Sequence, residues 1–123
     1  MKRRGFTLIE LLVVLAIIAA LLTIAVPRYF KSIDHGREVA LKQDLAVMRD
    51  AIDKHFADRA AYPTSLEDLV QKGYLKAIPE DPITQRRDSW IPEGPKEPGQ
   101  TGVADIKSGA SGTASDGTSY ASW

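Results

Sequence analysis

The chain has 123 residues, with 16 Lys and Arg against 16 Asp and Glu, and no cysteine. That length holds one small domain at most, and the lack of cysteine excludes a disulfide scaffold and a thiolate metal site. Three of the basic residues, Lys2, Arg3 and Arg4, cluster at the N-terminus; the remainder is mildly acidic, with no broad basic face for nucleic acid.

Residues 6–26 form an oily run in which only Thr7, Glu10 and Thr23 are polar. At ~1.5 Å rise per residue this is a helix of roughly 31 Å, close to the ~30 Å hydrocarbon core of a bilayer. The basic cluster before it predicts a cytoplasmic N-terminus and a chain that continues on the far side of the membrane. The run passes into Val26, Pro27 and Arg28 with no small-residue site of the A-x-A kind. The helix is therefore expected to stay attached rather than be removed as a secretory signal.

Glu10 is an ionisable group inside that run, and such a group is a functional-site hypothesis that needs a partner. Snorkelling to the interface is the plain reading. The sharper one needs a cation, and residues 6–26 contain no Lys, Arg or His. A cut after Gly5 creates one, because Phe6 then carries an ammonium group four residues before Glu10. The pairing is open to a single chain or to neighbouring chains.

The stretch RGFTLIE, followed by an apolar helix and a proline, resembles the class III signal of type IV pilins and pseudopilins. The resemblance implies a membrane peptidase that cuts after Gly5 and methylates Phe6. It also implies that Glu10 neutralises the amino terminus of an adjacent subunit during fibre assembly, and that Pro27 bends a long helix.

Beyond Pro27, apolar residues recur at Phe30, Ile33, Leu41, Leu45, Met48, Ile52 and Phe56, with charges on the other faces. The spacing predicts an amphipathic helix that packs one stripe on a small head. Gly36 weakens it by ~1 kcal/mol against alanine. The helix is expected to end near Ala60, because Tyr62 precedes Pro63. Residues 6–60 would then make a rod of about 80 Å.

In the head, Thr64 with Glu67 three later is a capping-box pattern that predicts a short helix burying Leu66, Leu69 and Val70 and stopping at Gly73. Short strands are expected at 89–91 and 103–106, with a third near 119–122, and a Gly/Pro-rich loop at 92–102. The tail at 108–119 has linker composition but ends in Tyr120 and Trp123, so it is read as a loop that returns to dock its aromatic end. The expected fold is α+β and pilin-like: a leader at 1–5, a membrane and assembly half of the first helix at 6–26, an amphipathic half at 27–60, and a head at 61–123 with a short helix and a small antiparallel sheet.

YPTSLEDLVQKGYLKAIPEDP and the tail GVADIKSGASGTASDGTSYASW are similar to the major pseudopilin family of type II secretion, general secretion pathway protein G. That likeness implies a structural subunit of a periplasmic pseudopilus, built from an inner-membrane reservoir with the head in the periplasm. The implied partners are further copies of the chain, minor pseudopilins, the prepilin peptidase, an assembly ATPase with a platform protein, and an outer-membrane secretin. Family members often bind calcium in the C-terminal loop through acidic side chains and backbone carbonyls. Asp116 falls on one acidic position and Ser111 near the other, with Asp105 some distance away. An Asp-Gly turn is the plain reading of Asp116, and no other cofactor is expected.

His35 and His55 lack the Cys or carboxylate companions of a zinc pattern, and there is no phosphate-binding glycine loop or nucleophile elbow. An enzyme is not expected. Two other readings compete. One is a type IV pilin of a surface fibre for adhesion, motility or DNA uptake, many of which carry a C-terminal disulfide loop. The other is an uncleaved membrane-anchored binding module.

Overall fold

The computed structural model describes residues 4–123, and the first three residues of the expected leader lie outside them. Two compact units divide the chain, Met1–Asp34 and His35–Trp123. Helix α1 spans Leu8–Arg59, with Pro27 inside it.

In the first unit every described residue of the oily run is exposed. Phe6 keeps 83% of its surface and Leu8 76%. This stretch of α1 is long and apolar enough to cross a membrane, and none of its apolar window is buried within the chain. Exposed apolar surface on that scale has no stable place in water and marks a lipid or protein contact. Pro27 brings no N–H, so the Thr23 carbonyl lacks its helical partner there.

The second unit is built on the stripe predicted from periodicity. Leu41, Leu45, Met48, Ala51 and Ile52 of α1 are buried against Leu66, Leu69, Leu75, Trp90, Val103 and Ile106. Phe30 remains exposed, and Ile33 and Phe56 are only partly covered, so the core begins later on the helix than the apolar pattern does. The helix ends at Arg59, close to the expected Ala60.

Helix α2 covers Leu66–Gln71. Its cap is Ser65, one residue after the expected Thr64. The Ser65 hydroxyl accepts from Asp68 N at 3.2 Å, and Asp68 Oδ2 accepts from Thr64 N at 3.2 Å. Leu66 and Leu69, three apart, face inward together.

Strands β1 (Ile91–Glu93) and β2 (Asp105–Lys107) form a two-stranded antiparallel sheet, with Ile91 opposite Lys107 and Glu93 opposite Asp105. Both strands lie about two residues beyond the expected 89–91 and 103–106. β1 tolerates Pro92 because in a two-stranded sheet each strand is an edge. Trp90, left outside the ladder, is buried and donates its indole N–H to Pro79 O at 2.8 Å. The expected third strand near 119–122 is instead a 3-10 turn at Tyr120–Ser122, joined to the chain before it by a single bridge between Thr113 and Ser119. The reason is the three-residue spacing of Tyr120 and Trp123. A strand would send them to opposite faces, whereas a 3-10 turn eclipses i and i+3. Their rings meet edge to face at 5.3 Å.

Asp81 is fully buried and organises the turn before β1. It accepts from Ile83 N at 2.8 Å, Thr84 N at 3.2 Å and the Ser108 hydroxyl. His55 is a satisfied core histidine. Its Nδ1–H donates to Ala61 O at 2.6 Å, the Lys72 ammonium reaches Nε2 at 3.2 Å, and the ring packs on Tyr74.

Candidate functional site

Two places in the chain carry the candidate chemistry. The first is the N-terminal motif. Residues 4–7 are non-helical and exposed, and α1 begins only at Leu8. A Cβ placed on Gly5 would meet nothing within 4 Å. The Gly5–Phe6 peptide bond therefore lies in exposed, non-helical chain, where proteolytic cleavage concentrates. Thr7 closes the helix start, its hydroxyl accepting from Glu10 N at 3.1 Å while its carbonyl receives Leu11 N. Thr7 and Glu10 thus stand in the spacing of a capping box, a local role for TLIE that the sequence reading did not assign. Glu10 itself is exposed on the first turn of α1.

The second is the C-terminal loop. Residues 112–120 form a tight hairpin-like turn, with Ala114 N to Thr118 O at 2.7 Å and Tyr120 N to Gly112 O at 3.3 Å. Asp116 sits at its exposed tip and accepts from Thr118 N at 3.0 Å and from the Thr118 hydroxyl at 2.6 Å. These bonds hold its carboxyl below the usual range. Gly117 follows with φ +87, the conformation that the Asp-Gly turn demands.

Two residues on α1 that the sequence reading passed over hold this loop. The buried Glu38 accepts from Ser115 N at 2.8 Å, from the Ser115 hydroxyl at 2.6 Å and from the Tyr120 hydroxyl at 3.2 Å. The two Ser115 bonds draw its carboxyl below its ordinary value, against the opposing effect of burial. Arg49 forks onto Asp105 Oδ1 at 2.8 Å, Ile106 O at 3.0 Å and Trp123 O at 2.6 Å. Lys42 Nζ lies 4.5 Å above the Trp123 ring, whose indole N–H donates to Thr118 at 2.7 Å. The docked aromatic end expected for the tail is thus in place.

A signal for Glu38 was present. It falls three residues before Leu41, on the stripe that continues through Leu45, Met48 and Ile52. A carboxylate on an apolar stripe needs donors, because burying it unpaired is costly.

The residues do not fit a calcium ion, which takes six to eight oxygen ligands, usually with several carboxylates. Asp116 Oδ1 already receives two donors, and Ser111 brings no carboxylate. Asp105 is engaged by Arg49. Among the described residues no group of three or more His, Asp or Glu side chains converges.

Comparison with known proteins places this architecture. A family model described as the prokaryotic N-terminal methylation motif matches residues 1–26. Type II secretion system core protein G of Pseudomonas aeruginosa is 36% identical over 101 residues, covering 67% of this chain and 71% of the relative. The protein of the same name from Escherichia coli K12 is 32% identical over 97 residues, covering 66% and 67%. That from Aeromonas hydrophila is 31% identical over 142 aligned positions, covering 99% of this chain and 94% of the relative. No solved structure matches the chain. The motif, the α+β fold with its long first helix, and relatives matched along most of their length agree: the chain belongs to the type II secretion system core protein G family, the pseudopilins of the type IV pilin superfamily.

Proposed function

We propose that the chain is the major pseudopilin of a type II secretion system, a structural subunit and not an enzyme. It is held by α1 in the inner membrane with its head in the periplasm. After cleavage between Gly5 and Phe6 and methylation of Phe6, subunits leave the membrane and stack through their oily helices into a pseudopilus that drives export. Minor pseudopilins, an ATPase and a platform protein serve that assembly, and Pro27 bends the helix to fit it.

The observation that carries this reading is the pairing of an open Gly5–Phe6 bond with an apolar surface that the chain leaves wholly uncovered. Packing that surface against copies of itself replaces lipid contacts with protein packing. Removal of the leader also creates the cation that Glu10 lacks. Inside a stack of apolar helices an unpaired carboxylate costs several kcal/mol, so the next subunit's amino terminus fixes axial register.

The test separates Glu10's two roles. Gln serves a capping box as well as Glu does but carries no charge. Mass analysis should show a mature chain beginning at N-methyl Phe6, in wild type and in Glu10→Gln alike. Crosslinked fibre yield should fall in Glu10→Gln as far as in Glu10→Ala. Fibre yield equal to wild type in Glu10→Gln removes the electrostatic role, and fibres built from chains that keep residues 1–5 remove the processing step.

A further inference from the structure

We infer that the C-terminal loop of this chain closes on α1 as a metal-independent clasp, with the Glu38 carboxylate accepting directly from Ser115 and Tyr120 and leaving no work for a calcium ion. The loop has the composition of a linker, and something must hold it. The family resemblance implies a cation. The polarity of the groups around Glu38 and Asp116 points the other way.

A cation site needs oxygen lone pairs that converge on a common point. Around Glu38 the neighbours present hydrogens. Ser115 offers its N–H at 2.8 Å to Oε1 and its hydroxyl at 2.6 Å to Oε2, and the Tyr120 hydroxyl lies 3.2 Å from Oε1. These donors occupy the positions where a metal would have to sit. At Asp116, Oδ1 likewise receives two hydrogens, from the Thr118 N–H and hydroxyl. Both Glu38 oxygens and Asp116 Oδ1 are thus already engaged by the loop's own donors.

The clasp also has a second arm that needs no ion. Arg49 donates to Trp123 O at 2.6 Å, as does the Lys107 ammonium at 3.2 Å. Lys42 covers the Trp123 ring. The two arms take hold of the loop at 115–120 and at 123, so its exit and its end are fixed to the helix stripe without a bridging group. Glu38 is buried, which makes its bonds less accessible to competing water than those of a surface pair.

The inference is tested on the full chain in detergent micelles, with calcium chloride and the chelator EGTA as probes. Wild type should melt at the same temperature in EGTA as in millimolar calcium. The Ser115 amide should exchange slowly in both. Glu38→Gln should speed that exchange roughly tenfold, the factor expected for one hydrogen bond of ordinary net strength. Gln supplies one acceptor in place of two and turns an NH2 group toward donors. Should that variant fail to fold, Ser115→Ala removes only the hydroxyl bond and should still loosen exchange at 112–120. A melting temperature that falls in EGTA and returns with calcium overturns the inference. So does Ser115 exchange that is indifferent to Glu38→Gln, or exchange at 112–120 that is indifferent to Ser115→Ala.

Discussion

Replacing Arg49 by Met keeps the aliphatic stem packed on the head while removing every donor of the fork. Three bonds go: to Asp105, to Ile106 O and to Trp123 O. Their weights differ. The side chains of Arg49 and Asp105 keep 34% and 38% of their surface in solvent, so the ion pair is screened and is worth about 0.2–1 kcal/mol. The bonds to the two main-chain oxygens are charge-assisted and contribute about 1 kcal/mol each after the same discount. The expected loss is therefore roughly 2–3 kcal/mol. In a unit of under about a hundred residues each kcal/mol moves the midpoint by about 4–8 °C, so Tm should fall by roughly 10–20 °C.

The assay is a thermal melt followed by tryptophan fluorescence, since Trp90 is buried in the core and Trp123 lies beside the lost fork. Asp105→Asn supplies the control. It removes the ion pair but spares the carbonyl bonds, and should cost under about 1 kcal/mol. High salt should weaken the Asp105 contribution more than the others, because exposed pairs are screened first. If Arg49→Met and Asp105→Asn lose equal stability, the main-chain bonds contribute nothing and the two-arm account of the loop is wrong.

Gly36→Ala should stabilise the protein by about 1 kcal/mol, since a Cβ there meets nothing within 4 Å and the helix interior prefers alanine; a denaturant melt checks it. Gly102→Ala should destabilise by roughly 2–4 kcal/mol, because φ is +108 and the new Cβ would lie 2.7 Å from Pro63 O, which receives Val103 N. Acid should release the loop before the core. The Glu38 carboxyl is depressed in the folded chain, so its stabilisation is complete above its ordinary value of 4.5 and is lost as pH falls through the lower folded value. Exchange at Ser115 should accordingly quicken in that acid window while the Met48 amide, buried within α1, stays protected.

The fold was legible where one segment decides its own structure. Period and apolarity alone located α1, and Pro63 set its end. Errors came where two local patterns overlap. Thr64 with Glu67 and Ser65 with Asp68 both read as caps, and the second forms, with the Ser65 hydroxyl accepting from Asp68 N and Asp68 Oδ2 from Thr64 N at the helix start. Pro92 argued for a loop, yet β1 runs through it because the sheet is too small to have an interior strand. The tail's aromatic pair predicted docking correctly but not its geometry. A spacing of three between Tyr120 and Trp123 favours a 3-10 turn, and weighing that spacing against strand composition would have found it.

The two halves of the candidate site differ in how far apart in sequence their chemistry lies. Gly5, Phe6, Thr7 and Glu10 fall within six consecutive residues, so a local motif states the whole arrangement. The clasp joins residues 77 and 82 positions apart, and no local pattern reaches that far. What the sequence did hold was a misfit, the carboxylate of Glu38 at the head of the stripe that runs through Leu41, Leu45, Met48 and Ile52. A misfit of that kind states a requirement without naming the partner: donors must come from somewhere in the fold. The tail, rich in Ser and Thr and ending in aromatics, was the one segment with both spare donors and a reason to fold back. Reading the misfit and the donor-rich tail as one requirement, rather than as a charge on a helix and a flexible end, leads from sequence to the clasp without a metal.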